Sequence, residues 1–298
     1  MREMEIKKNN MNDLNVDDYG RSDALRRLEE QRTQVAKSMR LVMIGAFCLL
    51  IPPIGLAVIF FAYSKLKKAQ GEMKVLYKEA FVREPLERNF EDVIYEPSNG
   101  FTREVVQNCQ LCRMGNRFYS EDYIRASYMG VPFEMADVNV WDVDKSDDKT
   151  YTTTYFKGRM IFLNFPDKVV SSVMLYSKRF KYRGISKKDS KQLKVELEGI
   201  QFNDEFDVFS PVPHDAFYLL TPQVMERLQK LDSQYQSIAI NVVGNSVVLA
   251  FNEPDNNAFD SKTTIGNVNV DEEMEKVQSD IDDIKLFISS ILNSAYTS

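Results

Sequence analysis

The chain has 298 residues, 44% apolar and 28% charged, with a net charge of −6. This supplies enough apolar material for a packed core and excludes wholesale disorder. Three cysteines exclude a disulfide scaffold, and the acidic balance argues against nucleic acid as the partner of the whole chain.

Residues 1–20 are polar and rich in Asn and Asp, the composition of a disordered N-terminus. Residues 21–40 are expected to form an amphipathic helix, with Leu25, Leu28, Val35 and Met39 near a heptad stripe. Leu41 to Tyr63 then runs without a single charge. As one helix this run would be about 35 Å long, against a bilayer core of about 30 Å. A buried helix of a soluble domain normally keeps a polar face and this run has none, so it is expected to enter the membrane. Asp17, Asp18, Glu29 and Glu30 stand where a cleaved signal peptide would carry a short basic region, so the segment reads as a permanent anchor.

Pro52 and Pro53 interrupt that segment. Each removes a backbone donor and crowds the carbonyl four residues back. Two topologies follow: a single kinked span, or a re-entrant hairpin with arms of about ten residues, each too short to cross. Arg26, Arg27, Arg32, Lys37 and Arg40 on one flank balance Lys65, Lys67, Lys68, Lys74 and Lys78 on the other. The positive-inside rule therefore does not choose between the two, and both basic flanks suit an anionic cytoplasmic leaflet.

Residues 64–83 read as a basic juxtamembrane helix ended by Pro85, and residues 84–266 as a soluble α+β domain. Pro97 to Gly100 is a loop, and Thr102 is placed to cap a short helix. From Val131 the pattern is that of strands. Thr150–Phe156 and Arg159–Phe165 flank Lys157-Gly158, which reads as a two-residue hairpin turn. Val169–Tyr176, Phe206–Ser210 and Ala216–Leu220 read as further strands. Thr221 and Pro222 open a helix to Tyr235 with Val224, Leu228 and Leu231 on one face. Ile238–Val242 and Val247–Phe251 form a hairpin turning at Gly244-Asn245. Antiparallel pairing, rather than a βαβ series, is expected.

Residues 269–293 carry a capping-box pattern, Asn269 with Glu272. Val270, Met274, Val277, Ile281, Ile284, Ile288 and Ile291 then repeat at spacings of four and three. This amphipathic helix suits either a coiled-coil seam or docking on the sheet domain. Because it is acidic and the 21–40 helix is basic, pairing of Ile281, Ile284 and Ile288 with Leu25, Leu28 or Val35, or with the 64–83 helix, is expected ahead of a homo-oligomeric coil.

The chemistry-bearing motifs are sparse. Cys109 and Cys112 form a C-x-x-C, but no second pair accompanies them and no βαβ context surrounds them, so neither zinc nor redox chemistry is assigned. His214, the sole histidine, lies in a turn sequence, and no nucleophile elbow, phosphate loop, zinc-protease motif or dinucleotide fingerprint occurs. No catalytic, cofactor-binding or metal residue is assigned, and no cofactor. One charge run stands out: Lys178, Arg179, Lys181, Arg183, Lys187, Lys188, Lys191 and Lys194, with Phe180 and Tyr182 interleaved. It reads as a solvated hairpin end or as a contact for anionic lipid headgroups, since the anchor already holds the domain near a leaflet.

The stretches Glu84–Phe101, Ser120–Val138, Phe156–Phe165 and Phe202–Leu231, with the hairpin that follows, occur in order. Together, over roughly residues 80–260, they resemble a bacterial membrane-protein family catalogued as a domain of unknown function, number 3137. The resemblance implies a bacterial, membrane-anchored protein with a sizeable soluble domain, and it implies no catalytic residues.

The expected function is that of a non-catalytic module on the cell membrane that binds a partner or organises the membrane surface. Its partners would be the lipid bilayer, anionic headgroups, an unidentified protein or a second copy of the chain. The alternative is a membrane-tethered enzyme with its site in the α+β domain. The soluble domain is expected to face the cytoplasm, given the Lys65–Lys78 flank and the free thiols. Protease added outside intact spheroplasts should leave residues 84–298 uncut, and their digestion would reverse the assignment.

Overall fold

The computed structural model describes residues 26–27, 30–41, 54–78, 82–146, 149–167, 169–184, 193–253 and 270–296. The chain divides into two compact units, one of Met1–Pro85 with Phe259–Val277, the other of Leu86–Ala258 with Gln278–Ser298.

In the first unit, helix α1 covers residues 30–41 and helix α2 spans Ile54–Lys78. Val35 of α1 and Ala69 of α2 are buried together, with Leu66 packed against them. Helix α2 joins the last ten residues of the apolar segment to the basic stretch after it. Among the described residues no helix is long and apolar enough to cross a membrane. Residues 42–53, which include Pro52 and Pro53, lie outside the described residues, as do residues 1–20 and Asn269 of the capping box.

The second unit is built on one nine-stranded antiparallel sheet. Its strands are β1 (Glu91–Glu96), β2 (Arg117–Tyr128), β3 (Val131–Ser146), β4 (Lys149–Asn164), β5 (Val170–Ser177), β6 (Leu193–Val195), β7 (Phe206–Ser210), β8 (Ser237–Gly244) and β9 (Ser246–Asn252). Across the sheet they run β1-β2-β3-β4-β9-β8-β5-β7-β6. The β8–β9 hairpin is thus inserted between β4 and β5, and Gly244 takes the positive φ its turn requires. The α+β class and the antiparallel sheet agree with the sequence pattern.

Both faces of the central strands are covered, which is why β5, β8 and β9 read as nearly continuous apolar runs. On one face, Val138, Phe156, Met160, Tyr176 and Ala250 pack with Val106, Leu111 and Phe180. Val106 belongs to helix α4 (Arg103–Asn108), where Thr102 caps the amide of Val105. The other face carries helix α5 (Ile200–Glu205), α6 (Pro213–Leu219), α7 (Pro222–Gln234) and the end of α8 (Val270–Tyr296) near its strands. There Val173, Leu175, Ile240 and Val242 meet Leu219, Val224, Leu228 and Phe287 around a small apolar void. Thr221 caps α7 as its sequence predicts.

Helix α8 buries Ile281, Ile284, Phe287, Ile288 and Leu292. Each large apolar side chain stabilises by about 1.5–3 kcal/mol when fully buried, so apolar contact supplies most of the docking energy. Its position is fixed by polar contacts. Arg159 of β4, itself buried, reaches Asp137 of β3 at 3.2 Å and Asp280 of α8 at 3.3 Å. Burial alone would discourage the charge, but the two carboxylates hold the guanidinium above its ordinary range. Lys285 donates to Asn89 at 2.5 Å, beside the rings of Phe90 and Tyr128; Asn89 ends the short helix α3 (Glu84–Asn89). Asp280, Lys285 and Phe287 make the contacts of the docked-helix alternative.

Three local expectations are corrected. Lys157-Gly158 is not a turn: β4 runs straight through it and pairs with β3 from Ser146–Lys149 to Phe133–Leu163. Gly158 is there because a Cβ would run into the carbonyl oxygen of Phe251 on β9. Ala216–Leu220 lies in or against α6 rather than in a strand, since Pro213 presets the first turn and Asp215 accepts from the amides of Ser171 and Ser172. Pro85 sits in the first turn of α3 rather than ending a helix, because a first-turn residue needs no amide donor.

Removing the guanidinium by Arg159→Met should cost about 3–5 kcal/mol, because Asp137 and Asp280 would be left uncompensated. Adding Asp137→Asn and Asp280→Asn should recover most of that loss. Urea unfolding followed by circular dichroism checks both; an equal loss in the triple variant would show that packing, not charge, governs the contact.

Candidate functional site: a basic aromatic cleft at the end of the sheet

The pairing of β4 with β9 stops at Gly158–Asn252, while β4 itself continues outward to Lys149. This leaves a gap beyond the ends of β8 and β9. The segment after β5 closes it by folding back from Ser177 toward β4. Phe180 lies over Phe156 with ring centroids 6.1 Å apart, and Tyr182 meets Tyr155 edge-on at 5.0 Å. The result is a cleft of about 760 Å³.

Its walls come from four places. They are Asn139 of β3, Thr154, Tyr155 and Lys157 of β4, the segment Arg179, Phe180, Lys181 and Tyr182, and Gln236 with Asn252. The β3–β4 register slips between Val140 and Trp141: Val140 faces Phe156, and Trp141 faces Thr154. Tyr155 is therefore the extra residue of a β-bulge, which turns it and Phe156 inward in succession.

The surrounding contacts hold this arrangement. Asn252 accepts from the amide of Lys157 at 3.2 Å and donates to Gln236 and Ser237. The Tyr155 hydroxyl donates to Asp142. That bond pushes the phenol up and holds the carboxyl of Asp142 below its usual range. Arg113 sits 4.5 Å from the centre of the Tyr155 ring, and its amide donates to the carbonyl of Tyr182 at 3.0 Å. Gly184 donates to Leu111 at 3.1 Å, and a Cβ at Gly184 would strike the carbonyl oxygen of Gln110. The buried Oδ1 of Asn139 has no hydrogen-bond partner among the described residues.

The predicted basic run is dispersed by the fold. Arg179 and Lys181 reach the cleft, and Lys178 is exposed beside it. Arg179 is held by the carboxylate of Asp232 at 2.6 Å and by its carbonyl. Arg183 and Lys194 converge on Asp207, at 2.9 and 3.3 Å, and Lys194 also meets Glu196 at 3.2 Å. Burial pushes the Asp207 carboxyl up, but these two cations hold it below its usual range. Lys187, Lys188 and Lys191 lie outside the described residues. Lys157 and Tyr155 were missed because X-Gly between two β-patterned runs reads as a hairpin. The β-rich composition on both sides of it is equally that of one long strand. Asn139, Gln236 and Asn252 carried no signal at all.

His214 is exposed in the first turn of α6, away from these residues. Cys109 and Cys112 are buried, unbonded thiols in the apolar cluster. Cys109 donates to the carbonyl of Val106 at 2.9 Å, and burial pushes its thiol up to about 11. Burial, and then the neighbouring Cys109, push Cys112 up as well. Among the described residues no group of three or more His, Cys, Asp or Glu is placed to hold a metal ion.

Residues 154–293 match the family described as "Protein of unknown function (DUF3137)". The matched stretch begins at the cleft-lining half of β4 and extends through α8, so it lies further toward the C-terminus than the resemblance in sequence had placed it. No curated protein matches the chain in sequence. A solved structure described as "crystal structure of the mycobacterial trehalose monomycolate transport factor A, TtfA" aligns with a TM-score of 0.35 and 13% identity, covering 73% of this chain and 95% of that one. That similarity is too low to transfer fold or function.

At pH 8 a thiol titrating near 11 is ionised in roughly one molecule per thousand. In a Cys48→Ser variant, neither Cys109 nor Cys112 should react with a disulfide reagent at that pH until urea unfolds the domain. Fast modification in the folded state would instead mark a reactive pair.

Proposed function

We propose that this is a bacterial membrane-anchored binding module, non-catalytic, whose soluble domain presents the cleft to a partner at the cytoplasmic surface. The cleft itself carries this reading. Its lining offers cations, aromatic faces and side-chain amides, which are groups of recognition. Neither a carboxylate nor a histidine lines it to work as an acid–base pair.

The anchor reading rests on the run Leu41–Tyr63 and on its last arm. Ile54–Tyr63 is helical, about 15 Å long, and displays Phe60 at 77% and Phe61 at 71% exposure. Large apolar side chains left open on a helix that turns basic immediately afterwards suit insertion into one leaflet, with Lys65, Lys67 and Lys68 at the headgroups. Deleting Leu41–Tyr63 should move the chain from carbonate-washed membranes to the soluble fraction, with the thermal unfolding of the sheet domain unchanged. Retention of the shortened chain in washed membranes would overturn the anchor.

A further inference from the structure

We infer that the cleft is a binding site for a phosphate ester, with Lys157 and Lys181 as its anion-binding cations beside the paired rings of Tyr155 and Tyr182. Its volume, about 760 Å³, is that of an organic ligand rather than a bare ion. Lys157, Arg179 and Lys181 all line it. One terminal nitrogen of Arg179 is already engaged by Asp232. Beside the rest of that guanidinium stand two lysine ammonium groups. These are point charges with freely turning donors, which suit the several oxygens of a phosphate better than the planar, two-oxygen demand of a carboxylate. The Lys181 ammonium stands 5.4 Å from the centre of the Tyr182 ring, so it is placed without a carboxylate neutralising it in the cleft lining. The side-chain amides of Asn139 and Gln236 line the cleft and offer polar partners for the rest of the ester.

Asp142 and Asp232 flank the site but are occupied, the first by the Tyr155 hydroxyl and the second by Arg179. The ester can come from two sources, a lipid headgroup or a soluble metabolite, and both share this chemistry. This inference deepens the binding role proposed above and is independent of the anchor.

The chain carries its own reporter. Trp141, its single tryptophan, faces the cleft-lining Thr154 across the β3–β4 register. The full chain in phosphatidylcholine nanodiscs is titrated with glycerol phosphate while Trp141 fluorescence is followed, and is compared with the chain in nanodiscs containing phosphatidylglycerol. A saturable response is expected, weakened about tenfold or more in Lys157→Ala/Lys181→Ala, since each lost cation removes a charge-assisted hydrogen bond. Lys178→Ala should leave it unchanged, and Lys181→Arg should restore part of what Lys181→Ala loses. Thermal unfolding of each variant verifies the fold. A response to soluble glycerol phosphate alone assigns a free ester, and one to the phosphatidylglycerol discs assigns a headgroup. No response to either probe, or one that the double variant leaves unchanged, overturns the inference. Because the readout is the cleft and not the membrane fraction, its failure is distinct from failure of the anchor.

Discussion

A buried guanidinium between two carboxylates is the contact on which the sheet domain's layout turns. Arg159 is buried at the middle of the sheet, and its charge is tolerable only because Asp137 and Asp280 meet it on either side. Asp137 is its direct cross-strand partner on β3, and Asp280 arrives from a helix more than a hundred residues away in sequence. Apolar burial could seat α8 in several registers along the sheet. The ion triad selects one of them, because any other leaves charge buried without a partner.

The same strand shapes the cleft. Gly158 lets β9 approach β4 so closely that the β9 carbonyl fills the place of a side chain. One residue further along, that pairing ends. The bulge at Tyr155 then reverses the in-out alternation. A long strand that loses its neighbour on one side, and has its side chains re-aimed at the same point, leaves an opening at the sheet's end. The segment Lys178–Gly184 bounds it because its backbone is tied to the loop around Leu111 and Arg113.

The basic run between residues 178 and 194 shows how tertiary structure sorts charges of one kind into different roles. Arg183 and Lys194 are absorbed by Asp207, and Arg179 is held by Asp232. Lys181 keeps an aromatic neighbour instead. Lys157, which lies outside the run, joins the cleft because β4 crosses the end of β9. Of the described members of this cluster, two thus share one carboxylate and two line a cleft.

The local patterns were legible where the physics is local. The caps at Thr102 and Thr221, the hairpin at Gly244-Asn245, the amphipathic stripe of α8 and the antiparallel α+β class all follow from propensity, capping and hydrophobic period. The strand β2 was illegible because its charged residues hide the alternation, and because a register shift after Glu121 puts buried Asp122 at positive φ, bonded to Tyr95. Ala216–Leu220 misled because its short apolar pattern is common to strand and helix, and α6 is settled by what Asp215 and Pro213 do in space. The sequence by itself determined the uncharged apolar run Leu41–Tyr63, the class of the domain and the likeness of residues 154–293 to that family. Only the tertiary structure decided that Lys157-Gly158 is mid-strand, that Arg159 is paired with Asp280, and which cations face the cleft. Each of these depends on a partner far away in the chain, and no local preference encodes the position of such a partner.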